Sequence, residues 1–438
     1  MAACDCGASA HSLVRPDSGA ALKIRGIVLV LALLLGMTGC RPESPPLSDP
    51  ESSEAIAITG TATLGSKQAT PKLTQLPGNA TAPPPNTIDL IQSTPSITVT
   101  LTAQETESSP QVITVDNADE LVEIYRQEFG IWALVSALVW SPNGSMLAAS
   151  IGDQVFLQAF TQDNFNPVVS LPIGALTPAL AFSPDGQWLA AGSRDGVIRM
   201  WSVASLIDQA DSKNPIPAVV QINDAHQKGV NSLEFSPDGH WLASGGNDAV
   251  VRLWETSTGE LIRMLIGGTY AVPSVVFSPD GTTLAIANGE YIRLREAASE
   301  HITGTFLSET PIYTLAYSPD GKLLAAGDIS NNIRVWDPAQ AFRSGSEDYP
   351  TPITLTGHNA RPTSFRALVW DLAFSPDGSL LASAGGDQTI WLWAVASQQP
   401  LNTLTGHEAA VTTLAFSPDG TRLVSGGLDG TLILWGIP

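Results

Sequence analysis

One phrase recurs seven times in this sequence: an aromatic residue, then Ser-Pro, then Asp or Asn, then Gly. The aromatic anchors are Trp140, Phe182, Phe235, Phe277, Tyr317, Phe374 and Phe416. Successive anchors lie 40 to 57 residues apart. Repetition at a period of about 40–50 residues indicates a closed or stacked array of similar units, each of which buries its apolar faces against its neighbours.

Each repeat carries the local signals of a small antiparallel sheet. Within the phrase, Pro restricts φ, Asp caps the turn and Gly accepts a positive φ. Short β-forming runs flank the turn, as at residues 411–416, 422–425 and 431–435, and residues 399–404 provide a fourth run. We therefore predict an all-β fold, a seven-bladed β-propeller with four antiparallel strands in each blade.

The N-terminal residues predict export and lipid attachment. Residues 26–39 form an apolar run preceded by Lys23 and Arg25, and this run is shorter than the roughly 20 residues that a membrane-spanning helix needs. It is typical of a signal peptide, which we assign to residues 1–39. The run ends in Met-Thr-Gly-Cys40, which resembles the lipobox of bacterial lipoproteins and implies lipidation of Cys40.

Residues 40–111 are rich in Ser, Thr and Pro and poor in aromatic residues. Such a composition buries too little apolar surface to offset the entropy of ordering, so we predict a disordered tether that begins at the lipidated Cys40. Residues 112–438 then form the propeller. Together these assignments predict a protein anchored to the cell membrane by lipid, on its extracytoplasmic side.

Further positions in the repeats resemble those of the WD40 family, over about 318 residues. In that family a His, a Ser or Thr, an Asp and a Trp tie a blade together. The resemblance implies that Asp holds the imidazole, that the hydroxyl links the imidazole to the indole, and that the buried indole N–H is satisfied. Three repeats keep all four residues: His226, Ser244, Asp248 and Trp254; His358, Ser383, Asp387 and Trp393; His407, Ser425, Asp429 and Trp435.

The remaining repeats depart from this pattern. The second keeps Asp195 and Trp201 but has Ala191 in the Ser position, and the fifth keeps Trp336 with Ser330 in the Asp position. The first and fourth repeats lack the Trp. We expect these four blades to depend more on apolar packing.

The end of the sequence predicts how the ring closes. It stops at Pro438, three residues after Trp435, so the last repeat has no outer strand of its own. Residues 121–126 precede the first repeat as residues 261–265 precede the fourth. We predict that this N-terminal segment supplies the outer strand of the last blade and removes an exposed edge.

Catalytic and metal sites find little support in the sequence. Three of the five histidines after residue 111 belong to the implied tetrads, and the other two, His240 and His301, show no repeated ligand spacing. Calcium binding by the Asp-containing turns stays open, without the ligand spacing of a dedicated loop. A formal net charge of −21 argues against nucleic acid as a partner. We predict no enzyme activity, cofactor or metal.

A partner-binding rim is expected on the face where the family's blade-connecting loops lie. The candidate positions precede the anchor aromatics or the turn Asp: Leu134, Arg194, Asn247, Tyr313, Leu368, Trp370 and Leu428. An insertion at residues 359–366 extends this rim. The alternative is that Tyr313 and Trp370 pack inward between blades, because large aromatic side chains are often buried.

Two classes of function follow. We favour a membrane-tethered scaffold that binds a protein or peptide partner, since the family, the tether and the absence of a reactive constellation agree. The alternative is a propeller hydrolase or lyase with a carboxylate or metal site in the central channel. The residues that line the channel distinguish them: converging Asp, Glu or His side chains would favour chemistry, and Ser, Ala and Val a scaffold.

Overall fold

The structure of the chain is a computed structural model. It describes residues 98–100, 110–130, 133–161, 163–212, 214–266, 268–299, 301–343, 348–358 and 368–438. The predicted signal peptide, Cys40, most of the predicted tether and the insertion at residues 359–366 lie outside the described residues.

The described residues form seven antiparallel sheets, which are the seven predicted blades. The first segments are β1 (Thr98–Thr100) and β2 (Val122–Glu128), which belong to the last blade. Blade 1 contains β3 (Val135–Trp140), β4 (Met146–Ile151), β5 (Gln154–Thr161) and β6 (Asn164–Pro172). Blade 2 contains β7 (Ala179–Phe182), β8 (Trp188–Gly192), β9 (Ile198–Ser202) and β10 (Val220–Ile222). Blade 3 contains β11 (Val230–Phe235), β12 (Trp241–Gly246), β13 (Val250–Glu255) and β14 (Leu261–Ile266).

The other four blades repeat this order. Blade 4 contains β15 (Val275–Phe277), β16 (Thr283–Asn288), β17 (Tyr291–Glu296) and β18 (Ile302–Leu307). Blade 5 contains β19 (Ile312–Tyr317), β20 (Leu324–Asp328), β21 (Asn332–Trp336) and β22 (Ile353–Thr356). Blade 6 contains β23 (Val369–Phe374), β24 (Leu380–Gly385), β25 (Thr389–Ala394) and β26 (Gln399–Thr405). Blade 7 contains β27 (Val411–Phe416), β28 (Arg422–Gly427) and β29 (Thr431–Gly436).

Helical structure is a minor part of the described residues. One short α-helix, α1 (Val203–Asp208), follows β9, and 3-10 turns span Ala118–Glu120 and Pro338–Gln340. In the part of the chain that the structure describes, no helix has the length and apolar character needed to cross a membrane.

The recurrent Ser-Pro-Asp-Gly phrase forms the turn between the first two strands of each blade. In blade 7 the Asp419 carboxylate accepts a hydrogen bond from Ser417 Oγ at 2.6 Å and another from Thr421 N at 3.0 Å. Gly420 has a φ of +71°, which its lack of a Cβ permits. Each phrase glycine lies against the proline ring of the preceding phrase, and Gly144 lies against Pro418. The seven turns therefore form a closed ring.

The core is divided among the junctions between blades. Seven clusters of buried apolar side chains are each shared by two neighbouring blades. Each anchor aromatic belongs to the cluster that its blade shares with the preceding blade, as Phe235 does between blades 2 and 3. Burying an aromatic side chain at every junction explains why the anchor recurs.

The last blade closes the ring as predicted. β2 pairs antiparallel with β29, so the seventh sheet takes its fourth strand from the N-terminal side of the propeller. The seven-bladed fold, with four antiparallel strands per blade and this closure, is confirmed. One feature was not predicted: β1, within the residues assigned to the tether, pairs with the outer side of β2 as a fifth strand.

Polar contacts join the last blade to the first. Arg422 donates two hydrogen bonds to the carboxylate of Asp163, from Nε at 2.5 Å and from Nη2 at 2.8 Å. Gln158 of β5 donates to Gln127 of β2 at 3.0 Å. A bidentate Arg–carboxylate pair is strong and directional, so it aligns the two blades at the point of closure.

The first strands of the blades surround the central channel. They contact one another in a closed order from β3 through β7, β11, β15, β19, β23 and β27 back to β3. Each is an edge strand, and the peptide N–H groups on its channel side have no strand partner. Ser232 Oγ accepts a hydrogen bond from Val275 N at 3.1 Å, and Glu234 Oε2 accepts one from Phe277 N at 2.6 Å.

The same arrangement recurs at other junctions. Ser274 accepts from Leu315 N, Asp371 from Leu414 N, and Thr413 from Leu138 N. In these five contacts, a side chain of one blade satisfies the edge of its neighbour. The polar side chains on the first strands therefore hold the ring together.

Removing the closing strand should unfold the ring. We predict that deletion of residues 112–130 lowers the melting temperature severely, because β29 becomes an open edge and the junction of blades 7 and 1 loses its apolar partners. Thermal denaturation followed by circular dichroism measures this, and an unchanged melting temperature would contradict the closure.

A matched pair of substitutions on β2 tests the same junction. Tyr125 is 2% exposed and packs edge-to-face on Phe165 at a ring distance of 5.8 Å, whereas Val122 on the same strand is 44% exposed. Tyr125→Ala should cost about 3 kcal/mol of unfolding free energy. Val122→Ala should change it by less than about 0.5 kcal/mol.

The channel carboxyl Glu234 should make stability depend on pH. Removal from solvent raises its pKa to about 8, although the bond from Phe277 N acts in the opposite direction. The folded-state pKa lies above the ordinary value of 4.5, so the folded chain holds this proton more tightly than the unfolded chain. The resulting contribution to the free energy of unfolding is complete at acidic pH and is lost as the pH rises through about 8.

Glu234→Gln should remove that dependence, because an amide oxygen accepts the same hydrogen bond without ionising. We expect the variant to melt a few degrees above the parent at alkaline pH and close to it at pH near 5. Calorimetry across this range tests it, with the exposed Glu260→Gln as the control. Parallel melting curves for Glu234→Gln and parent at every pH would refute the assignment.

Candidate functional site

The structure brings together the four side chains of each complete tetrad. In blade 3, His226 Nδ1 lies 2.8 Å from Asp248 Oδ1, and His226 Nε2 lies 2.8 Å from Ser244 Oγ. Trp254 Nε1 donates to the same hydroxyl at 2.8 Å. The tetrads of blades 6 and 7 repeat these contacts, with distances of 2.8 to 3.0 Å from histidine to carboxylate and serine and from indole to serine.

These contacts form a continuous chain of hydrogen bonds from Asp through His and Ser to Trp. The indole N–H and the histidine both use the serine hydroxyl, so a neutral imidazole that accepts from Ser and donates Nδ1–H to Asp satisfies every group. Burial lowers the pKa of His226 despite its contact with Asp248, which favours the neutral form. Burial alone would raise the pKa of Asp429, but hydrogen bonds from His407, Thr431 and the backbone lower it to about 2. The tetrads therefore stabilise the blades in which they lie.

Histidine–aspartate pairs of this kind do not form a hydrolytic site. The three histidine side chains are almost completely buried. Each serine hydroxyl is occupied by its own blade's histidine and tryptophan and is removed from solvent. A nucleophile must converge with its base and an oxyanion site at a place that substrate can reach.

The incomplete blades use other contacts. In blade 2 the Asp195 carboxylate contacts Ser193 Oγ and accepts from Arg199, while Trp201 Nε1 donates to Ile216 O at 3.3 Å. In blade 5 the Trp336 indole donates to Pro350 O at 3.3 Å. Both indoles thus turn to a backbone carbonyl in the connection that follows.

Blade 5, which has Ser330 in the Asp position, takes its structural carboxylate from a different residue. The structural carboxylate is Asp328, two residues before Ser330, and its side chain is fully buried. It accepts hydrogen bonds from Ser330 N at 2.8 Å and Asn332 N at 2.9 Å, and Arg334 Nε lies 3.3 Å away. Ser330 contributes its backbone N–H. The structural acid of this blade therefore lies on the strand β20 and not in the turn.

The channel lining favours a structural role for its acids. Asp371 accepts from Leu414 N at 3.0 Å and Leu372 N at 2.9 Å, and burial raises its pKa to about 6 despite these bonds. Glu234 accepts from Phe277 N across the next junction. Within the described ranges, no group of three or more His, Cys, Asp or Glu residues could hold a metal ion. The acids that face the channel are spread over its wall, each at a different blade junction.

Five of the seven predicted rim residues meet at the tetrad end of the channel. We call the eight apolar and aromatic residues there the mouth cluster: Leu134, Leu176, Tyr313, Ile329, Leu368, Trp370, Ala410 and Leu428. They come from blades 1, 2, 5, 6 and 7 or from the loops that enter them, so the cluster joins side chains across the channel. Tyr313 packs edge-to-face on Trp370 at 5.3 Å.

Burial alters the role predicted for part of this set. Leu134, Leu368 and Trp370 are only 7%, 2% and 4% exposed, so they support the mouth and offer little surface to a partner. Tyr313 and Leu428 are half-buried. Hence the inward packing considered for Trp370 is what the structure has, because side chains from several blades converge at the channel axis.

Arg194 and Asn247 belong to a polar chain beside the mouth cluster. Arg194 Nη1 donates to Asn231 Oδ1 at 2.5 Å, and Asn231 Nδ2 donates to Asn247 Oδ1 at 2.9 Å. Burial raises the pKa of Tyr313 to about 12, with the charge of Arg194 acting in the opposite direction. Both predicted residues are thus held in place by neighbours on the rim.

One rim residue escaped the sequence interpretation. Tyr270 lies in the loop between β14 and β15 and is 64% exposed. Its carbonyl accepts from Asn288 Nδ2, its ring lies over Gly289, and Val272 N nearby donates to Gly246 O at 3.0 Å. It stands seven residues before the anchor Phe277, outside the positions that the repeat comparison selected. An exposed aromatic side chain on a held backbone is typical of a binding hot spot.

Comparison with protein families matches the blades that keep the most tetrad residues. The model of the WD40 family, described as "WD domain, G-beta repeat", matches residues 178–202, 218–255, 301–337, 351–394 and 398–436. These matches cover the first three strands of blades 2, 3, 5, 6 and 7, together with the outer strands of blades 2, 4, 5 and 6. The repeats without the tetrad Trp, the first and fourth, are those whose first three strands are not matched.

Among similar proteins, one is named for WD repeats and another as the subunit of a complex. The WD repeat-containing protein SL1-17 of Schistosoma mansoni is 32% identical over 39% of this chain and 52% of its own length. Nuclear distribution protein PAC1 of Arthroderma otae is 30% identical over 42% of this chain and 40% of its own length. Anaphase-promoting complex subunit cdc20 of Dictyostelium discoideum is 31% identical over 40% of this chain and 34% of its own length.

The alignments span about half of the length of these relatives or less. The family matches contain all the residues of the three complete tetrads. The repeats of this chain are therefore similar to those of the WD40 repeat family.

Proposed function

We propose that this chain is a membrane-tethered, extracytoplasmic WD40 scaffold that binds a protein partner through the tetrad face of its propeller. The observation that carries the proposal is that the potentially reactive side chains are already engaged in structural hydrogen bonds. The tetrad histidines and serines bond within their own blades, and the channel acids Glu234 and Asp371 accept hydrogen bonds from neighbouring blades. A binding surface, by contrast, is available on the rim.

The rim has the properties of a protein-binding surface. The mouth cluster supplies a rigid, largely buried floor, and Tyr270 projects beside it into solvent. Asn231 and Asn247 add hydrogen-bonding groups in fixed positions. Interfaces concentrate binding free energy in a few aromatic side chains surrounded by polar groups that are already ordered.

The comparisons support an interaction role. By its name, the Dictyostelium relative is a subunit of the anaphase-promoting complex, so one protein with similar repeats works within an assembly. Transfer of that role to this chain is part of the proposal. The partner proposed here is a protein, because a formal net charge of −21 disfavours nucleic acid.

The tether is supported by the N-terminal sequence. A basic flank, an apolar run of signal-peptide length and Cys40 at its end resemble a lipoprotein signal. Several acyl chains on Cys40 would hold the chain to a membrane, because each buried CH₂ group contributes about 0.8 kcal/mol. The segment that follows would separate the propeller from the lipid surface.

The rim assignment predicts the effect of one substitution. Tyr270→Ala should reduce the partner captured by crosslinking and affinity purification from intact cells by at least about fivefold, since a hot-spot side chain contributes more than about 1 kcal/mol. Tyr270 is exposed, so the melting temperature should stay unchanged. Tyr349→Ala is the control, because Tyr349 is an exposed aromatic of the insertion between β21 and β22.

Equal capture by the parent and both variants would remove Tyr270 from the binding site. If no protein is captured by any of them, the scaffold proposal fails, and screening for hydrolase or lyase substrates becomes the next step.

The anchor predicts a change in fractionation. In bacterial cells the parent chain should partition with membranes and incorporate labelled fatty acid, and Cys40→Ser should do neither, because the thiol that carries the lipid is absent. Cys6→Ser is the control and should behave like the parent. Membrane association of Cys40→Ser would refute lipid anchoring through this residue.

A further inference from the structure

The outer edge of blade 3 differs from the other outer edges. β14 has six residues, Leu-Ile-Arg-Met-Leu-Ile, and pairs with β13 on one side. Leu261, Ile262 and Met264 are 50%, 44% and 48% exposed, whereas Leu265 is buried in the junction with blade 4. An exposed, apolar edge strand is a template for pairing with another strand.

The direction of its peptide groups follows from the adjoining turn. Glu255 N donates to Glu260 O at 2.9 Å, and Gly259 N donates to Glu255 O at 2.8 Å, so the peptide groups of Glu255 point towards β14. Alternation along β13 then directs those of Leu253 and Val251 to the same side. The peptide groups of their partners Arg263 and Leu265 are therefore bonded to β13. Met264 lies between them and directs its N–H and C=O away from blade 3.

Other long outer strands of the propeller are contacted by segments outside their own four-stranded sheet. β2 is covered by β1, and β18 exchanges two backbone hydrogen bonds with Phe342, both at 3.0 Å. Asn402 of β26 donates to Ala118 O at 2.8 Å, and α1 packs on β6. β10 and β22 have three and four residues. Within the described residues, β14 has no backbone–backbone hydrogen bond to another blade, and its Arg263 side chain donates to Ala297 O of blade 4 at 2.9 Å.

The covered edge of blade 7 shows what the equivalent position accepts. Glu123 faces Trp435 in blade 7 as Leu261 faces Trp254 in blade 3, so Arg126 of β2 corresponds to Met264 of β14. Arg126 is paired with Thr100 of the added strand β1. The position of Met264 is thus one at which this propeller takes an antiparallel fifth strand.

The sequence of β14 suits one occupant, another β14. In an antiparallel pair with a two-fold axis at Met264, the two Met264 residues face each other and Arg263 faces Leu265 of the second copy. No like charges then stand opposite one another, and the exposed Ile262 and Met264 side chains are covered. A two-fold axis makes the contact isologous and closed, so it stops at a dimer.

We propose that β14 is a homodimerisation strand, at which two copies of this chain join their third blades into one continuous eight-stranded sheet. This contact lies at the perimeter of the propeller, and it does not depend on the proposed rim function. Two copies would present two rims, which raises the avidity for a partner that reaches both.

Cysteine crosslinking of the full chain in intact cells tests the proposal. Met264→Cys should give a bis-maleimide-linked dimer of twice the chain mass, at least about fivefold above the parent, because directly opposed residues of an antiparallel pair lie about 5 Å apart. The parent measures the background from Cys4, Cys6 and Cys40. Ile302→Cys is the matched control, since Ile302 is 42% exposed on β18, whose edge Phe342 already covers.

A second substitution separates edge pairing from chance collision. Adding Ile262→Lys to Met264→Cys should return the dimer to the background, because the charge would lie against apolar residues of the second copy. Equal dimer yields from Met264→Cys and Ile302→Cys would overturn the proposal. So would monomer alone, or an adduct in which β14 is joined to a different protein. Unchanged melting temperatures of all variants exclude misfolding as the cause.

Discussion

Closure of the ring is the constraint on which the rest of this structure depends. Every apolar cluster in the propeller body is shared by two neighbouring blades, so no blade has a core of its own. The ring therefore needs its last junction, and β2 provides it by pairing with β29. Arg422 and Asp163 add a charged contact at the same place. A strand that precedes all the repeats thus makes the seven junctions mutually supporting.

A ring of this kind has unsatisfied strand edges on both its inner and outer sides. On the inner side, side chains of one blade accept the free N–H groups of the next, and Glu234 and Asp371 are examples. This use explains why acids in the channel do not form a reactive site. On the outer side, short added segments cover several edges, and β14 keeps an open one. The exposed edge and the rim are consequently separate surfaces.

The tetrads connect this architecture to the proposed binding face. Each one fixes a loop before its blade to the turn after the second strand, as His226 is fixed to Asp248. The loops at that end are therefore held by buried hydrogen bonds, and residues between them are displayed on a rigid frame. Tyr270 is exposed on the loop before blade 4, which is held by Asn288 and by the backbone of Gly246, and Trp370 is part of the buried floor of the rim. Rigid loops lose less conformational entropy on binding a partner.

The sequence by itself determined the number of blades, the strands and turns within them, the three complete tetrads and the origin of the closing strand. These features depend on local turn chemistry and on spacings that repeat, and both can be read along a chain. Only the tertiary structure decided that Trp370 is buried, that Asp328 is the structural acid of blade 5, that Tyr270 is exposed and that β14 is uncovered. Those outcomes depend on which side chains from distant repeats meet at the axis or at an edge. The sequence of one repeat does not specify which side chains the other repeats place there.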